Sequence, residues 1–509
     1  MILARSPGFP AFFHSMNFLR TSLIIASCTF TALATAQDGP SPERSMLRVN
    51  VTSQAYNFGL PWQKQNPGTR RGLGALIPGN RVLVTAEMAQ DATYVELEAA
   101  ATGRKLTARI EAVDYELNLA TVVPATETGD FFAGMVPLAI DNAIKPKATL
   151  DVWQFEANGA PVTSPIELSR VDLGAYFLED QFFLIFQANG AVQYRAGTFT
   201  LPVVRDGKLA GMLLRYNSRD QVADILPPSV ISRFLDDAAL PPYEGTPNFG
   251  AKLTATLDPQ LRSLLKLKDV EGGMMVTGVT PGFSADKAGI REGDVILSIN
   301  GLPIDSRGYY KDPEFGLLGA GHLLRGGAKV GEDVKLKVAR DGAVSEISCK
   351  LLRRNPEDYL IDPYMFGRGP RFLILGGLLF QELTQNFLQL AGREWRDRAP
   401  FRLVYAQSNQ DEFLKEGRRK LVFLSGVLPA PGLIGYERLR NLIVTSVNGK
   451  PINDIKDLAE ALKSPTDGIH RIEFSDFPKV IFVDAAQADQ DNREFVPARY
   501  RIRELQRID

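Results

Sequence analysis

Short runs of alternating or β-branched residues, split by glycine turns, fill the chain from residue 45 to about 226. Arg81-Val82-Leu83-Val84-Thr85, Thr93-Tyr94-Val95-Glu96-Leu97 and Phe182-Phe183-Leu184-Ile185-Phe186 are typical. Strands at this spacing predict an all-β barrel or sandwich. Pro227 to Leu235 breaks the pattern. A proline opens it and Val230, Ile231 and Leu235 fall at helical spacing, which predicts a helix. Pro241-Pro242-Tyr243-Glu244-Gly245 then reads as a linker.

The remainder of the chain repeats itself. Gly278-Val279-Thr280-Pro281 and Asn300-Gly301-Leu302-Pro303-Ile304 recur as Gly426-Val427-Leu428-Pro429 and Asn448-Gly449-Lys450-Pro451-Ile452. The offset is 448 − 300 = 148 at both ends, so the two blocks align without a gap. Each copy predicts a strand, a turn with a short helix, and a strand closed by an Asn-Gly turn. Two homologous small domains therefore follow the β region. Phe372 to Phe380 is apolar but only strand-length.

A chain of 509 residues suggests about three domains at ~100–200 residues each. The net charge of −1 gives no basic excess for nucleic acid and no polybasic segment for anionic lipid. At the N-terminus, Arg20, the apolar stretch Thr21 to Ala34 and the Ala34-Thr35-Ala36 motif before Gln37 predict a secretory signal over 1–36. Met16 to Arg20 makes a better positive flank than the fifteen residues before it. The apolar run is shorter than the ~20 residues that span a bilayer. Export is the reading and a retained anchor the weaker one; Ile25-Ala26-Ser27-Cys28 also loosely resembles a lipoprotein box, though with a very short hydrophobic run. Loss of Cys28 with the signal leaves Cys349 alone, so no intrachain disulfide is expected and stability must come from buried core.

The run Gly272-Gly273-Met274-Met275-Val276 with Ala288-Gly289-Ile290-Arg291-Glu292-Gly293-Asp294-Val295-Ile296-Leu297-Ser298-Ile299-Asn300-Gly301 resembles a PDZ domain of the HtrA/Deg protease family. The second copy resembles the distinctive second PDZ domain of Deg-type proteases, through Gly376-Gly377-Leu378-Leu379-Phe380-Gln381-Glu382-Leu383-Thr384 and Gly435-Tyr436-Glu437-Arg438-Leu439. Gly72-Leu73-Gly74-Ala75-Leu76-Ile77, Asp130-Phe131-Phe132-Ala133-Gly134-Met135 and Ile225 to Leu235 resemble segments of the same family's protease domain. The resemblance implies a mainly β chain: a trypsin-like double β-barrel over 45–240, a PDZ domain over 245–355 and a second over 365–487. A 37–44 linker precedes them and a 488–509 C-terminal tail follows.

The departures from the family fall on its chemistry. The family's T-N-A-H motif corresponds to Val84-Thr85-Ala86-Glu87, its D-L-A to Asn118-Leu119-Ala120, and its G-N-S-G-G-P to Gly197-Thr198-Phe199-Thr200-Leu201-Pro202. The triad positions are then Glu87, Asn118 and Phe199; an alternative register puts Gly197 at the serine. No histidine occurs between residues 15 and 321; the chain has only His14, His322 and His470. A carboxylate with an ordinary pKa near ~4.3 is a poor proton shuttle at neutrality, and Asn118 cannot steady an imidazolium. The Cβ atoms of Thr198, Phe199 and Thr200 resist the dihedrals of a glycine-rich oxyanion turn. The threonines read as strand or turn residues and Glu87 as a solvated carboxylate.

The expectation is an exported, periplasmic or cell-envelope HtrA/Deg homologue without catalysis. It would bind peptide C-termini or unfolded proteins as scaffold, holdase or regulator, including of an active protease relative. The alternative is a working serine endopeptidase in protein quality control. Phe249, Gly250, Ala251 and Leu253 resemble the family's carboxylate-binding loop, where a peptide adds by β-augmentation. His322 is the candidate for reading a ligand side chain from the flanking helix, and His470 a structural residue at a strand start. Two isolated histidines and one cysteine give no metal-ligand spacing, and no phosphate-cradling loop is present, so no cofactor is expected. The resemblance also implies homo-oligomers, often built on trimers.

Overall fold

The structure is a computed structural model, and it describes residues 39–156, 158–179, 181–193, 200–268 and 270–509. The expected signal over 1–36, Cys28, and Gly197, Thr198 and Phe199 lie outside the described residues. Alternation along the strands closes the N-terminal region into two six-stranded antiparallel barrels. The first comprises Met46–Ser53, Gly68–Ile77, Arg81–Val84, Ala92–Glu98, Lys105–Asp114 and Leu119–Pro124. The second comprises Thr149–Phe155, Pro161–Ala175, Phe182–Asn189, Leu201–Arg205, Lys208–Asn217 and Val222–Leu226. Both follow the order first, second, third, sixth, fifth, fourth. Period 2 decides which residues meet inside: Leu47, Val49 and Val51 fill the first barrel, whereas Met46 joins Leu73, Leu83, Leu117 and Leu119 in the core of the second. The helix Pro228–Ala238 starts on prolines and lays Val230, Ile231 and Phe234 onto that second core.

The repeat folds twice. In the first copy, Ala251–Ala255, Met274–Val279, Val295–Ile299, Asp333–Arg340 and Ala343–Lys350 form one sheet in that order. In the second, the matching strands are Leu378–Glu382, Val422–Val427, Leu442–Val447, Ile469–Phe474 and Val480–Asp484. The register repeats with the sequence. Ala251 faces Val279 and Leu253 faces Val276 across a bulge, as Leu378 faces Val427 and Phe380 faces Leu424. Asn300-Gly301 and Asn448-Gly449 both adopt positive φ, as a type I′ hairpin requires.

Two features differ from the sequence reading. The apolar run Phe372 to Phe380 is a hairpin, Phe372–Leu375 and Leu378–Glu382, because Gly376-Gly377 take positive φ and turn the chain. Residues 485–507 are folded against the second copy, with Gln506–Arg507 pairing to Phe372–Leu373.

The first copy is joined to the barrels through core. Its hairpin, Tyr309–Asp312 and Gly316–Gly319, inserts Tyr310 and Leu318, each 1% exposed, into the core of the second barrel. Burial of a large apolar side chain stabilises by ~1.5–3 kcal/mol, so this contact is a docked interface rather than a tether.

Candidate functional site

Glu87 lies in the short 3₁₀ turn Ala86–Met88, which follows the strand Arg81–Val84 of the first barrel. Rather than standing in solvent, its carboxyl accepts a 3.3 Å hydrogen bond from Asn118 Nδ2. Asn118 is fully buried at φ 55°, and its Oδ1 has no hydrogen-bond partner among the described residues. Arg70 closes the other side, donating to the carbonyls of Glu87 (2.9 Å) and Gln90 (2.8 Å). Burial holds the Glu87 carboxyl above its ordinary range; the Asn118 amide and the Arg70 charge offset this only in part. The structure thus brings Glu87 and Asn118 together. Thr200 opens the strand Leu201–Arg205 at φ 62°, a costly conformation for a β-branched residue, and its buried hydroxyl has no partner among the described residues. A left-handed dihedral at this point is where a glycine fits without strain.

The turn beside Asn118 is a junction that sequence reasoning missed. Asp114 accepts from Tyr243 of the interdomain linker. Glu116, 5% exposed, accepts from Thr246 Oγ1 (2.8 Å) and Arg325 Nη2 (2.9 Å), with Arg353 Nη2 at 3.9 Å. Leu117 enters the core shared by the barrels. Nothing in the local sequence marks Glu116, because its partners lie more than a hundred residues away.

In the first repeat, Phe249 is buried, Gly250 stands at φ 73°, and Ala251 and Leu253 begin the sheet's edge strand. Gly250 N donates to Asn248 Oδ1 at 2.8 Å, and a Cβ on Gly250 would lie 2.9 Å from Phe283 Cβ, so the loop has no room for a side chain. Ala251–Ala255 pairs on one side only, with Met274–Val279, and no described strand covers its other side. The equivalent edge in the second repeat is taken: Phe372–Leu375 pairs along Leu378–Gln381. Asn492 fixes that strand, donating to Ile374 O (3.0 Å) and accepting from Gly376 N (2.9 Å). The second repeat also borders the open edge of the first. Lys252 Nζ reaches Ser408 O (2.9 Å) and Asp411 (3.4 Å), and Thr280 Oγ1 donates to Asp411 (2.9 Å).

His322 lies in the 3₁₀ helix Ala320–Leu324. Its ring packs against Gly326, where an added Cβ would meet Nδ1 at 2.7 Å. Burial lowers its pKa, with Asp312 opposing and Arg233 adding to that effect. Arg233, from the helix Pro228–Ala238, donates to the carbonyls of Arg325 (3.0 Å) and Gly326 (2.8 Å), so His322 belongs to the seam between barrel and first repeat. His470 is 3% exposed in the strand Ile469–Phe474, beside Asn448 Nδ2 at 3.2 Å. Among the described residues no group of three or more His, Cys, Asp or Glu is placed to hold a metal ion.

Two barrels joined by a shared core and followed by two repeats of this sheet order define a mainly β protein of trypsin-like HtrA fold with two PDZ domains. Models of the PDZ domain match residues 264–351 and 361–506. The chain is 27% identical over 442 residues to "Protease Do-like 2, chloroplastic" of Arabidopsis thaliana, covering 85% of this chain and 70% of the relative. It is 23% identical over 487 residues to "Protease Do-like 4, mitochondrial" of the same plant, covering 90% and 87%. A solved structure, "HtrA-type protease AlgW with decapeptide", shares 16% identity with a TM-score of 0.46, over 62% of this chain and 97% of that one. The PDZ matches and the two relatives support a place for the chain in the HtrA/Deg protease family, with two PDZ domains after the barrels.

Proposed function

We propose that this is an exported, non-catalytic HtrA/Deg homologue that binds peptide C-termini or unfolded segments through its first PDZ domain, as scaffold, holdase or regulator. The observation that carries the proposal is the absence of any histidine between residues 15 and 321, together with Glu87 turned toward Asn118. Serine-type peptide hydrolysis needs a group that takes the nucleophile's proton and returns it to the leaving amine near neutrality. A half-buried carboxyl hydrogen-bonded to an amide is not such a group. The peptide-binding half draws on the open edge Ala251–Ala255 beside Gly250, which suits strand addition. The relatives' names place those proteins in chloroplasts and mitochondria, in keeping with a chain that works in a separate compartment.

Two measurements on the full mature chain test the two halves. Incubation with an unfolded protein and a fluorophosphonate probe is expected to give neither cleavage nor labelling. Cleavage abolished by Thr200→Ala, with contaminating enzymes excluded, defeats the non-catalytic reading. A screen of fluorescent C-terminal peptides is expected to yield a ligand in the micromolar range, about −8 kcal/mol, that amidation weakens. Gly250→Val, which forces a side chain against Phe283, is expected to abolish that binding. A ligand that ignores both amidation and Gly250→Val does not use this loop.

A further inference from the structure

The first residues of the second PDZ match, ahead of its strand Phe372–Leu375, pack against the barrels. Tyr364 and Phe366 pack with two rings from the barrels, Tyr115 beside the Asn118 turn and Phe177 after the strand Pro161–Ala175. Phe366 lies 4.7 Å from Tyr115 and 5.4 Å from Phe177, centroid to centroid, and 5.6 Å from Tyr364, stacked upon it. The next residue, Gly367, donates its backbone N–H to Asp91 Oδ1 at 2.7 Å, and Asp91 is buried. Asp91 follows Gln90, whose carbonyl Arg70 holds together with that of Glu87. The segment therefore touches both barrels and reaches the shell of groups around Glu87.

A second observation comes from the acceptor side. Phe177 stands at φ 73°, a left-handed conformation that a bulky aromatic residue adopts at a cost and only when its surroundings fix it. Its ring packs against Tyr115 and Phe366. Burial also raises the Tyr115 phenol to about 12 and pushes that of Tyr364 up as well, as expected for hydroxyls held away from water. Nearby, Arg396 of the second PDZ domain pairs with Glu179, two residues beyond Phe177, so that domain holds the loop at two points.

We infer that Tyr115 and Phe177 form a polypeptide-binding site at the junction of the barrels, specific for an extended segment presenting aromatic residues two positions apart, and that Tyr364-Met365-Phe366-Gly367 occupies it in cis as an internal clasp. Two rings from one strand-like segment meet two rings from the receptor, and one backbone N–H meets a buried carboxylate. An unfolded polypeptide carries all of these groups. Access for such a segment requires displacement of the clasp.

The test uses the full mature chain and a fluorescent peptide of residues 361–369. In the wild type the site is filled, and the peptide is expected to bind at least ten-fold more weakly than to the double variant Tyr364→Ala/Phe366→Ala. Adding Phe177→Ala to that variant is expected to return the affinity to the wild-type level. Hydrogen exchange of 114–118 should quicken in the double variant and slow again when peptide is added. Equal binding to wild type and double variant, or binding to neither, overturns the inference. A measurement on the unmodified protein guards against a variant that misfolds: the Gly367 amide should exchange at least a hundred-fold more slowly than an unstructured glycine amide, and free exchange there defeats the clasp.

Discussion

Glu116 offers the sharpest test of how the first PDZ domain is held. Its carboxylate, 6% exposed by side chain, is the counter-charge for Arg325 and Arg353, which are themselves only 17% and 18% exposed. Glu116→Ala leaves both guanidinium groups partly buried without this counter-charge, and strips Thr246 of its acceptor. Breaking a buried pair from one side costs about 3–5 kcal/mol, and the residual exposure of the arginines favours the low end. At about 3 kcal/mol the docking equilibrium falls by about a hundred-fold, since each 1.4 kcal/mol is tenfold. A chain of several domains does not melt as one unit, so a single transition temperature is a poor readout. Hydrogen exchange is better. Segments 114–118 and 322–328 should open about a hundred-fold more often in Glu116→Ala, while Leu442–Val447 in the second PDZ domain serves as the unchanged reference. Glu116→Gln, which keeps an acceptor for Thr246, should fall between. Adding Arg325→Met to Glu116→Ala should cost less than the sum of the two single changes. Exchange in Glu116→Ala within about three-fold of wild type would mean that the hydrophobic hairpin carries the docking and the ionic junction contributes little.

Three further outcomes follow from groups already described. The folded-state pKa of Glu87 lies above its ordinary 4.5, so the protonated form is favoured by folding and stability is lost as pH rises through the folded value; Glu87→Gln should therefore protect residues 84–90 from hydrogen exchange more than wild type at pH 7, with the difference vanishing well below pH 4.5. A Glu87→Gln protein no better protected there at pH 7 than wild type contradicts that assignment. His322 has the opposite sign: its pKa lies below 6.5, so its contribution is complete above that pH and is lost as pH falls through the folded value, loosening residues 320–328 against Arg233. His322→Gln should flatten this acid-side change in hydrogen exchange, and a slope that persists in the variant places its origin elsewhere. Thr200→Gly removes a β-branched side chain from a left-handed backbone and should stabilise by about 1 kcal/mol in denaturant titration, whereas a loss of stability would show that the threonine is held by favourable packing.

The fold was legible because local pattern and repeat agree. Alternation in Arg81 to Thr85 and in Phe182 to Phe186 marks strands that the structure contains, and the proline-led segment at 227 does become a helix. The 148-residue offset carries through to Met274–Val279 and Val422–Val427, which pair with the same bulge, but their partner strands Ala251–Ala255 and Leu378–Glu382 fall out of that offset because the second copy has a longer, helical connection between the paired strands. The Phe372 to Phe380 run misled because hydrophobicity alone has no period there; Gly376-Gly377 in its middle was the available signal for a hairpin. The clasp and the Glu116 junction were not legible. Tyr115 meets Tyr364, and Glu116 meets Arg325, across more than two hundred residues of chain, and no spacing rule links positions so far apart. Glu87 illustrates the intermediate case. Its identity was plain from the sequence, but its burial and its amide partner depend on which residues the barrel closure brings to it.

The unequal fate of the two sheet edges also sets a stoichiometry. Among the described residues, the second PDZ domain has spent this edge on Phe372–Leu375, so of the two equivalent edges only Ala251–Ala255 in the first domain is left unpaired. On the proposed reading, the PDZ pair then grips a long client at a single point. Holding that client at several points calls for chains arrayed side by side, and the strength of the hold then depends on how many stand within reach of one another.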